Sequence, residues 1–323
     1  MIVAPNWLGD AVMALPAIAD VRNGTRGASL AVAARASIAP LFSLVRDIDD
    51  VITVPVRGPS PLAGYDTAIL LPNSFHSAMS VARAGVRERW GYRADWRGML
   101  LTRAVDRASA GVHQIDSYQR LAASLGFANG PSTPRLDIST TVRDAGHAVL
   151  RSAGWDGETP LVAIAPGAAY GSAKRWPPAS FADFAAGLAE DGVAAVMVGA
   201  AADRVTAAEV TRALHGRATL IDVVGRTDIP ALAGVLASCR ALLANDSGAL
   251  HLAAAIGISV IGVFGPTDER LSGPRSPNPE SPIPTLSHHT WCRPCGLREC
   301  PLDHACLLGV PAADVLAATR KAL

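Results

Sequence analysis

The feature that most restricts the fold is a double run of alternation, in which short apolar, β-branched segments are separated by stretches of helical period. Ile2–Pro5, Leu30–Ala34, Val51–Val56 and Thr67–Leu71 have the length and composition of buried strands, with helix-length stretches such as Asp10–Arg22 between them. The pattern loosens between Ala128 and Pro160, where ANGPSTPRLDIST carries the proline, serine and threonine of a linker. It resumes with strands at Leu161–Ala165, Val193–Val198, Thr219–Val223, Ala241–Ala244 and Val260–Phe264. Phe181–Ala189, Ala201–Leu214, Ile229–Ser238 and Leu250–Ile256 read as the helices of this second half. Such alternation predicts a parallel sheet with helices on both faces. Two halves predict two doubly wound α/β domains, 1–155 and 156–323, with ligands bound in a cleft at the strand C-termini. The chain's 323 residues exceed what one hydrophobic core accommodates, which agrees. A Pro-rich loop (Gly273–Pro284), a cysteine-rich segment and a terminal helix over Ala312–Leu323 follow.

Composition removes several classes of function. Half the residues are hydrophobic and only 18% are charged, so the chain is not disordered. A net charge of +1 leaves no global electrostatic case for a nucleic-acid partner. The longest apolar run, Leu250–Gly265, is broken by His251 and glycines and is too short to cross a bilayer. The N-terminus lacks the basic region of a signal peptide, and Asp10 interrupts its apolar core, so a cytoplasmic chain is expected.

Three segments carry the chemistry. Pro5–Asp10 (PNWLGD) lies between the first strand and a helix; Gly9 lets backbone approach a ligand and Asp10 projects at the strand end. A plain helix-capping role for Asp10 is the competing reading. Pro166–Pro177 (PGAAYGSAKRWP) offers Gly167, a free helix start and the adjacent cations Lys174 and Arg175, which suit a diphosphate. Among 29 lysines and arginines only Lys174 and Lys321 are lysines, so a compact point charge stands here in an arginine-rich chain. A solvated surface loop is the alternative. Asn245–His251 (NDSGALH) ends a strand and opens a helix, where Ser247 and Gly248 offer N–H groups to an anion and Asp246 a carboxylate to sugar hydroxyls. His251 follows on the same face, as a ligand contact or as a satisfied half-buried histidine.

Weaker signals surround these. Asp203 sits just past a strand, where an acid can accept from ribose hydroxyls. Between Arg83 and Arg107 seven arginines face three acids, interleaved with Trp90, Tyr92 and Trp96, a mixture that suits an anionic, sugar-bearing partner or a solvated face. The acidic run Asp47–Asp50 precedes a strand and so lies at the wrong end of a sheet to bind a ligand. Cys239 stands alone, whereas Cys292, Cys295, Cys300 and Cys306 crowd within fifteen residues, a spacing compatible with a structural zinc site, local disulfides or reduced thiols.

Taken together, PNWLGDAVMALPAI, PGAAYGSAKRWP and NDSGALHLAAAIG…VFGPTD resemble the signature segments of glycosyltransferase family 9, the ADP-heptose–lipopolysaccharide heptosyltransferases. Trp7 before Gly-Asp and the AKRWP string resemble the heptosyltransferase II branch more than the heptosyltransferase I branch, and LPNSF (Leu71–Phe75) and GYRADWRG (Gly91–Gly98) are similar to that family too. The resemblance implies a GT-B architecture, two Rossmann-like domains facing each other across a cleft, the first binding acceptor and the second ADP-sugar. It implies an inverting transfer without a catalytic metal, from ADP-heptose to a membrane-borne heptosyl-Kdo-lipid A, by a monomer at the inner face of the inner membrane. Asp10 would be the general base, and Lys174 would stabilise the departing ADP. Gly9, Gly167, Ser247, Gly248 and His251 would line the donor, with Asp246 on the heptose, Asp203 on the ribose and Thr227 near the adenine. Arg89, Arg93 and Arg97 would face acceptor phosphates and acidic sugars. Another family 9 transferase, a GT-B-fold sugar-nucleotide epimerase and a non-catalytic binding protein remain as alternatives.

Overall fold

The computed structural model describes residues 1–55, 61–107, 111–276 and 283–323. It divides into two compact units, Met1–Asp137 and Ile138–Leu323. The boundary falls before the sequence-based division at 155, and Thr140–Ser152, expected to be part of a linker, is a 13-residue helix of the second unit.

The first unit holds strands β1 (Ile2–Val3), β2 (Ala31–Arg35), β3 (Asp50–Val54), β4 (Thr67–Leu70), β5 (Glu88–Tyr92) and β6 (Arg103–Val105). They form a parallel sheet in the order β3-β2-β1-β4-β5-β6. Its helices are α1 (Leu8–Met13), α2 (Leu15–Gly24), α3 (Phe75–Arg83) and α4 (Gln114–Ser124). The single helix expected over Asp10–Arg22 is two: the chain turns at Ala14, and Pro16 in the first turn of α2 has no N–H to carry α1 onward. The end of the expected strand Val51–Val56 and the middle of the Pro-rich loop lie outside the described residues. The acidic run is structural, with Asp49 accepting from Leu30 N at 2.7 Å and pairing with Arg22.

The second unit opens with α5 (Thr140–Ser152). Its strands β7 (Leu161–Ala165), β8 (Ala194–Met197), β9 (Leu220–Asp222), β10 (Ala241–Asn245), β11 (Ser259–Val263) and β12 (Thr285–Leu286) are parallel, in the order β12-β11-β10-β7-β8-β9. Helices α6 (Pro178–Glu190), α7 (Arg204–Leu214), α8 (Ile229–Ala237), α9 (Gly248–Ile256), α10 (Glu269–Ser272), α11 (Ala305–Leu308) and α12 (Ala312–Ala322) complete it. Trp176, Phe181 and Phe184 are fully buried in its core beside Val162 and Ile164. Both sheets run outward in both directions from an inner pair, β1/β4 and β7/β10, whose crossovers leave to opposite sides. That is the switch point at which doubly wound sheets bind ligands.

The helix missed in the linker is held by backbone contact. A Cβ on Gly146 of α5 would stand 2.1 Å from the carbonyl carbon of Gly234 in α8, and one on Gly234 would stand 2.0 Å from Val142 O. Only glycine allows this approach. Gly146→Ala is therefore expected to destabilise the second unit by about 1–3 kcal/mol or more, through overpacking, in urea unfolding followed by circular dichroism. An unchanged midpoint would mean that α5 does not dock on α8.

Candidate functional site

In the first unit the loop from β1 into α1 places Gly9 and Asp10 at the C-terminal end of an inner strand. The residue that caps α1 is Trp7, with extended backbone and no side-chain cap bond, so Asp10 lies inside the first turn rather than at the cap position. Asp10 is partly exposed. Its charge reaches the buried Tyr118 of α4: burial first, then Asp10, raises the Tyr118 hydroxyl's pKa. A second acid of this unit, Asp20, is structural: it is buried and accepts from Gly130 N at 2.7 Å and Gln119 Nε2 at 2.9 Å, tying the chain after α4 back to α2.

The arginines expected to face the acceptor divide into two kinds. Arg97 is fully buried; it donates to Tyr92 O at 2.8 Å, to Pro72 O and to Asn73 Oδ1, and burial pulls its pKa down to about 10. It stitches the LPNSF loop after β4 to the turn after β5, so its expected acceptor contact is corrected to a structural one. Arg89 likewise spends its guanidinium on the carbonyls of Val86, Arg87 and Leu100. Unsatisfied loop carbonyls captured these two donors, which charge counting along a sequence cannot foresee. Arg93 alone of the three is exposed, with an exposed ion pair to Asp106 at 3.0 Å. Beside it Asp95 and Trp96 adopt left-handed backbone, φ 46° and 61°, and Trp96 is 88% exposed.

The second unit gathers its expected residues more tightly. Pro166–Arg175 leaves β7 and meets the end of β10 through Asn245, whose Nδ2 donates to Pro166 O at 2.8 Å and whose Oδ1 accepts from Trp176 N at 2.9 Å. Lys174 ends a short 3₁₀ turn, and its ammonium meets Asp246 Oδ2 at 2.5 Å; the two side chains are 13% and 6% exposed. Thr267 Oγ1 donates to the same carboxylate oxygen at 2.7 Å, and the ring of Tyr170 lies 4.8 Å from Lys174 Nζ. This is a largely sequestered, oriented cation rather than a solvated loop. It also gives Asp246 a first task other than the expected sugar contact: it holds Lys174.

Gly167 faces Asp203: a Cβ there would fall 2.2 Å from the carboxylate, which itself accepts from Ala200 N at 2.9 Å. Asp203 is thus partly exposed at the mouth of β7 and β8 with one oxygen already bonded. Ser247 and Gly248 start α9 at the end of β10; Ser247 Oγ is buried and, among the described residues, has no hydrogen-bond partner. Leaving such a group unpaired costs about 1–3 kcal/mol, which a bound acceptor or donor atom would recover. Thr227 is partly exposed in the loop between β9 and α8, next to Asp228, the cap of α8. His251 is 5% exposed on the first turn of α9, which leaves little of its ring for the expected direct contact with a ligand. Sequence reading assigned no role to Asn245, Thr267 or Tyr170, although all three lie inside the motifs it singled out.

All five cysteines are free thiols. Burial pushes Cys239 up to about 12. Burial, then the neighbouring Cys292, Cys300 and Cys295, raises the pKa of Cys306. Among the described residues, however, no group of three or more His, Cys, Asp or Glu side chains is arranged to hold a metal ion. The zinc site suggested by the spacing does not fit this arrangement. What orders the segment instead is hydrogen bonding: Arg293 Nε donates to Gly265 O at 2.8 Å, Gly296 N to Pro266 O at 2.8 Å and Ala173 N to Arg298 O at 3.0 Å.

The sequence model for glycosyltransferase family 9 (heptosyltransferase) matches residues 62–306. The chain is 28% identical over 300 residues to lipopolysaccharide heptosyltransferase 2 of Escherichia coli strain K12, a match covering 85% of each protein. Its fold superposes on the solved E. coli ADP-heptose lipopolysaccharide heptosyltransferase II with a TM-score of 0.83 at 24% identity, covering 99% of this chain and 97% of that one. A second E. coli heptosyltransferase, solved with ADP, matches with a TM-score of 0.75 at 19% identity, covering 100% and 99% of the two chains.

Proposed function

The chain belongs to glycosyltransferase family 9 and is a heptosyltransferase, and from that premise we propose that it moves L-glycero-D-manno-heptose from ADP-heptose to the first heptose of a lipopolysaccharide inner core, with inversion and without a catalytic metal. The observation that carries the reading is the half-buried Lys174–Asp246–Thr267 network beside the Ser247 hydroxyl, unpartnered among the described residues, at the switch point of the second sheet. An ammonium has three donors. One meets Asp246, and the others are available to diphosphate oxygens, where a fixed cation offsets the charge that builds on the departing ADP. Gly167 lets the backbone come close to the nucleotide, Gly248 presents the start of α9 to the phosphates, and Asp203 and Thr227 lie on the loops assigned to ribose and adenine.

Asp10 takes the proton from the acceptor hydroxyl as that oxygen attacks C1 from the face opposite ADP. Gly9 keeps the approach open, and of the three arginines expected to face the acceptor Arg93 is the exposed one left for its phosphates. The acceptor is a membrane-borne heptosyl-Kdo-lipid A, which brings the enzyme to the cytoplasmic face of the inner membrane; among the described residues no helix is long and apolar enough to cross a bilayer. The test is incubation of the purified protein with ADP-heptose and monoheptosylated acceptor, with mass spectrometry of the product. A gain of one heptose is expected, and brief treatment with EDTA in the cold leaves the rate unchanged. Complete loss restored by Mg²⁺ contradicts the metal-independent mechanism, and transfer only from another sugar nucleotide contradicts the donor.

A further inference from the structure

The cysteine-rich segment reaches both loops that carry the donor-site cation. Arg293, with a side chain only 14% exposed, donates from Nε to Gly265 O at 2.8 Å and from Nη2 to Thr267 O at 3.1 Å, and pairs with Glu269. Its fork therefore spans the turn from Gly265 to Glu269 and fixes Thr267, whose hydroxyl holds the carboxylate oxygen of Asp246 that holds Lys174. Three residues on, Gly296 N donates to Pro266 O at 2.8 Å, and Gly296 O accepts from the Tyr170 hydroxyl at 2.7 Å. Tyr170 presents its ring to Lys174 at 4.8 Å and to Arg298 at 5.1 Å, and Arg298 O takes the N–H of Ala173, next to Lys174. Gly171 packs on the Arg298 backbone, where a Cβ would come within 2.2 Å of its carbonyl oxygen.

We propose that Arg293 is a positioning residue of the transferase: through Thr267 and Asp246 it sets where the Lys174 ammonium stands, and segment 293–298 is the clamp that holds the Tyr170–Lys174 loop against the Gly265–Glu269 turn. The inference rests on the donor-site reading above. Its physical basis is geometric. A planar guanidinium with five donors in fixed directions joins two carbonyls and a carboxylate at once, which a lysine's single ammonium does not reproduce. Only a cation already in place when charge develops lowers the barrier, and a displacement of about 1 Å can cost on the order of 10²-fold in rate.

A double-mutant cycle separates this role from a general contribution to folding. Turnover, donor KM, acceptor KM and ADP affinity by calorimetry are measured for Arg293→Met, Arg293→Lys and Thr267→Val, each in the parent and in a Lys174→Met background. In the parent background Arg293→Met is expected to lower kcat about 10- to 100-fold. Arg293→Lys recovers part of that loss, and the acceptor KM stays unchanged. In the Lys174→Met background the same substitutions cost less than about 3-fold, because the cation they position is gone. Losses that multiply in the two backgrounds overturn the proposal, as does a full-rate Arg293→Met. If Arg293→Met does not fold, Arg293→Lys and Thr267→Val carry the cycle by the same criterion. A parent protein that binds ADP but transfers no heptose would count against the proposed reaction instead, and the ADP affinities of the variants would still report on the clamp.

Discussion

Asp10→Asn is expected to fold as the parent does, to bind ADP with unchanged affinity and to lose about 10²–10⁴-fold in kcat. The substitution keeps the shape of the side chain and removes its ability to take a proton. Asp10 stands in the first turn of a six-residue helix at the end of β1, an inner strand of the first sheet. The cap position of that helix belongs to Trp7, and asparagine keeps the size and oxygen acceptor of the side chain in the first turn. ADP affinity serves as the internal control, because every residue assigned to the nucleotide lies in the second unit except Gly9. A loss of 10²–10⁴-fold corresponds to about 3–5.5 kcal/mol of transition-state stabilisation. Turnover near that of the parent, in a protein with native near-ultraviolet circular dichroism, removes Asp10 from the mechanism.

The second large effect concerns Lys174, and it has two components that separate experimentally. Lys174→Met removes the cation from the leaving group, with an expected loss of about 10²–10³-fold in kcat, together with weaker ADP binding. It also strands the carboxylate of Asp246, which is 6% exposed and keeps the Thr267 hydroxyl as the partner of Oδ2. Breaking one side of a buried pair costs about 3–5 kcal/mol of stability, mostly as the penalty on the charge left behind. Removing both charges together, in Lys174→Met with Asp246→Asn, relieves that penalty. The double variant is therefore expected to regain thermal stability over the single one while remaining as inactive. If activity returns along with stability, the single variant was failing by unfolding and the cation has no catalytic part. Lys174→Arg is expected to recover only part of the rate, because a flat fork cannot occupy the place of a point charge between Asp246 and the ring of Tyr170. Full rescue by arginine would mean that charge alone matters at this position.

How much of this was legible in the sequence depended on the range of the interactions concerned. The strands β7, β8, β10 and β11 and the helices α6, α8 and α9 were read to within a few residues, because burial on both faces writes continuous apolar runs into the chain. The loops bearing Asp10, Lys174 and Asp246 were placed correctly at strand ends for the same reason. By contrast, β5 and β6 went unread: ERWGY and RAV carry arginines and a glutamate, and their pairing is supplied by neighbours in the sheet rather than by their own hydropathy. The helix α5 was taken for linker because its N-terminal flank is rich in proline and threonine and its apolar positions are few. Its stability comes from the glycine-to-glycine contact with α8, between residues far apart in the chain.

What the sequence by itself determined is the set of groups and the strand ends that bear them: a carboxylate after the first strand, a rare lysine after the seventh, and a carboxylate and small residues after the tenth. Periodicity and local turn chemistry suffice for that, since both are encoded within a few residues. Tertiary structure decided what each group is free to do. Arg97 and Arg89 look like acceptor ligands along the chain, yet they are consumed by loop carbonyls that only folding brings to them. The four cysteines have a metal-like spacing, yet their segment is ordered by Arg293, Gly296 and Arg298. Asp246, 72 residues from Lys174, becomes the anchor of that lysine rather than first of all a sugar contact. The physical reason is the same in each case: a polar group's role is set by which partner it meets once water is excluded, and the sequence lists the groups without listing those meetings.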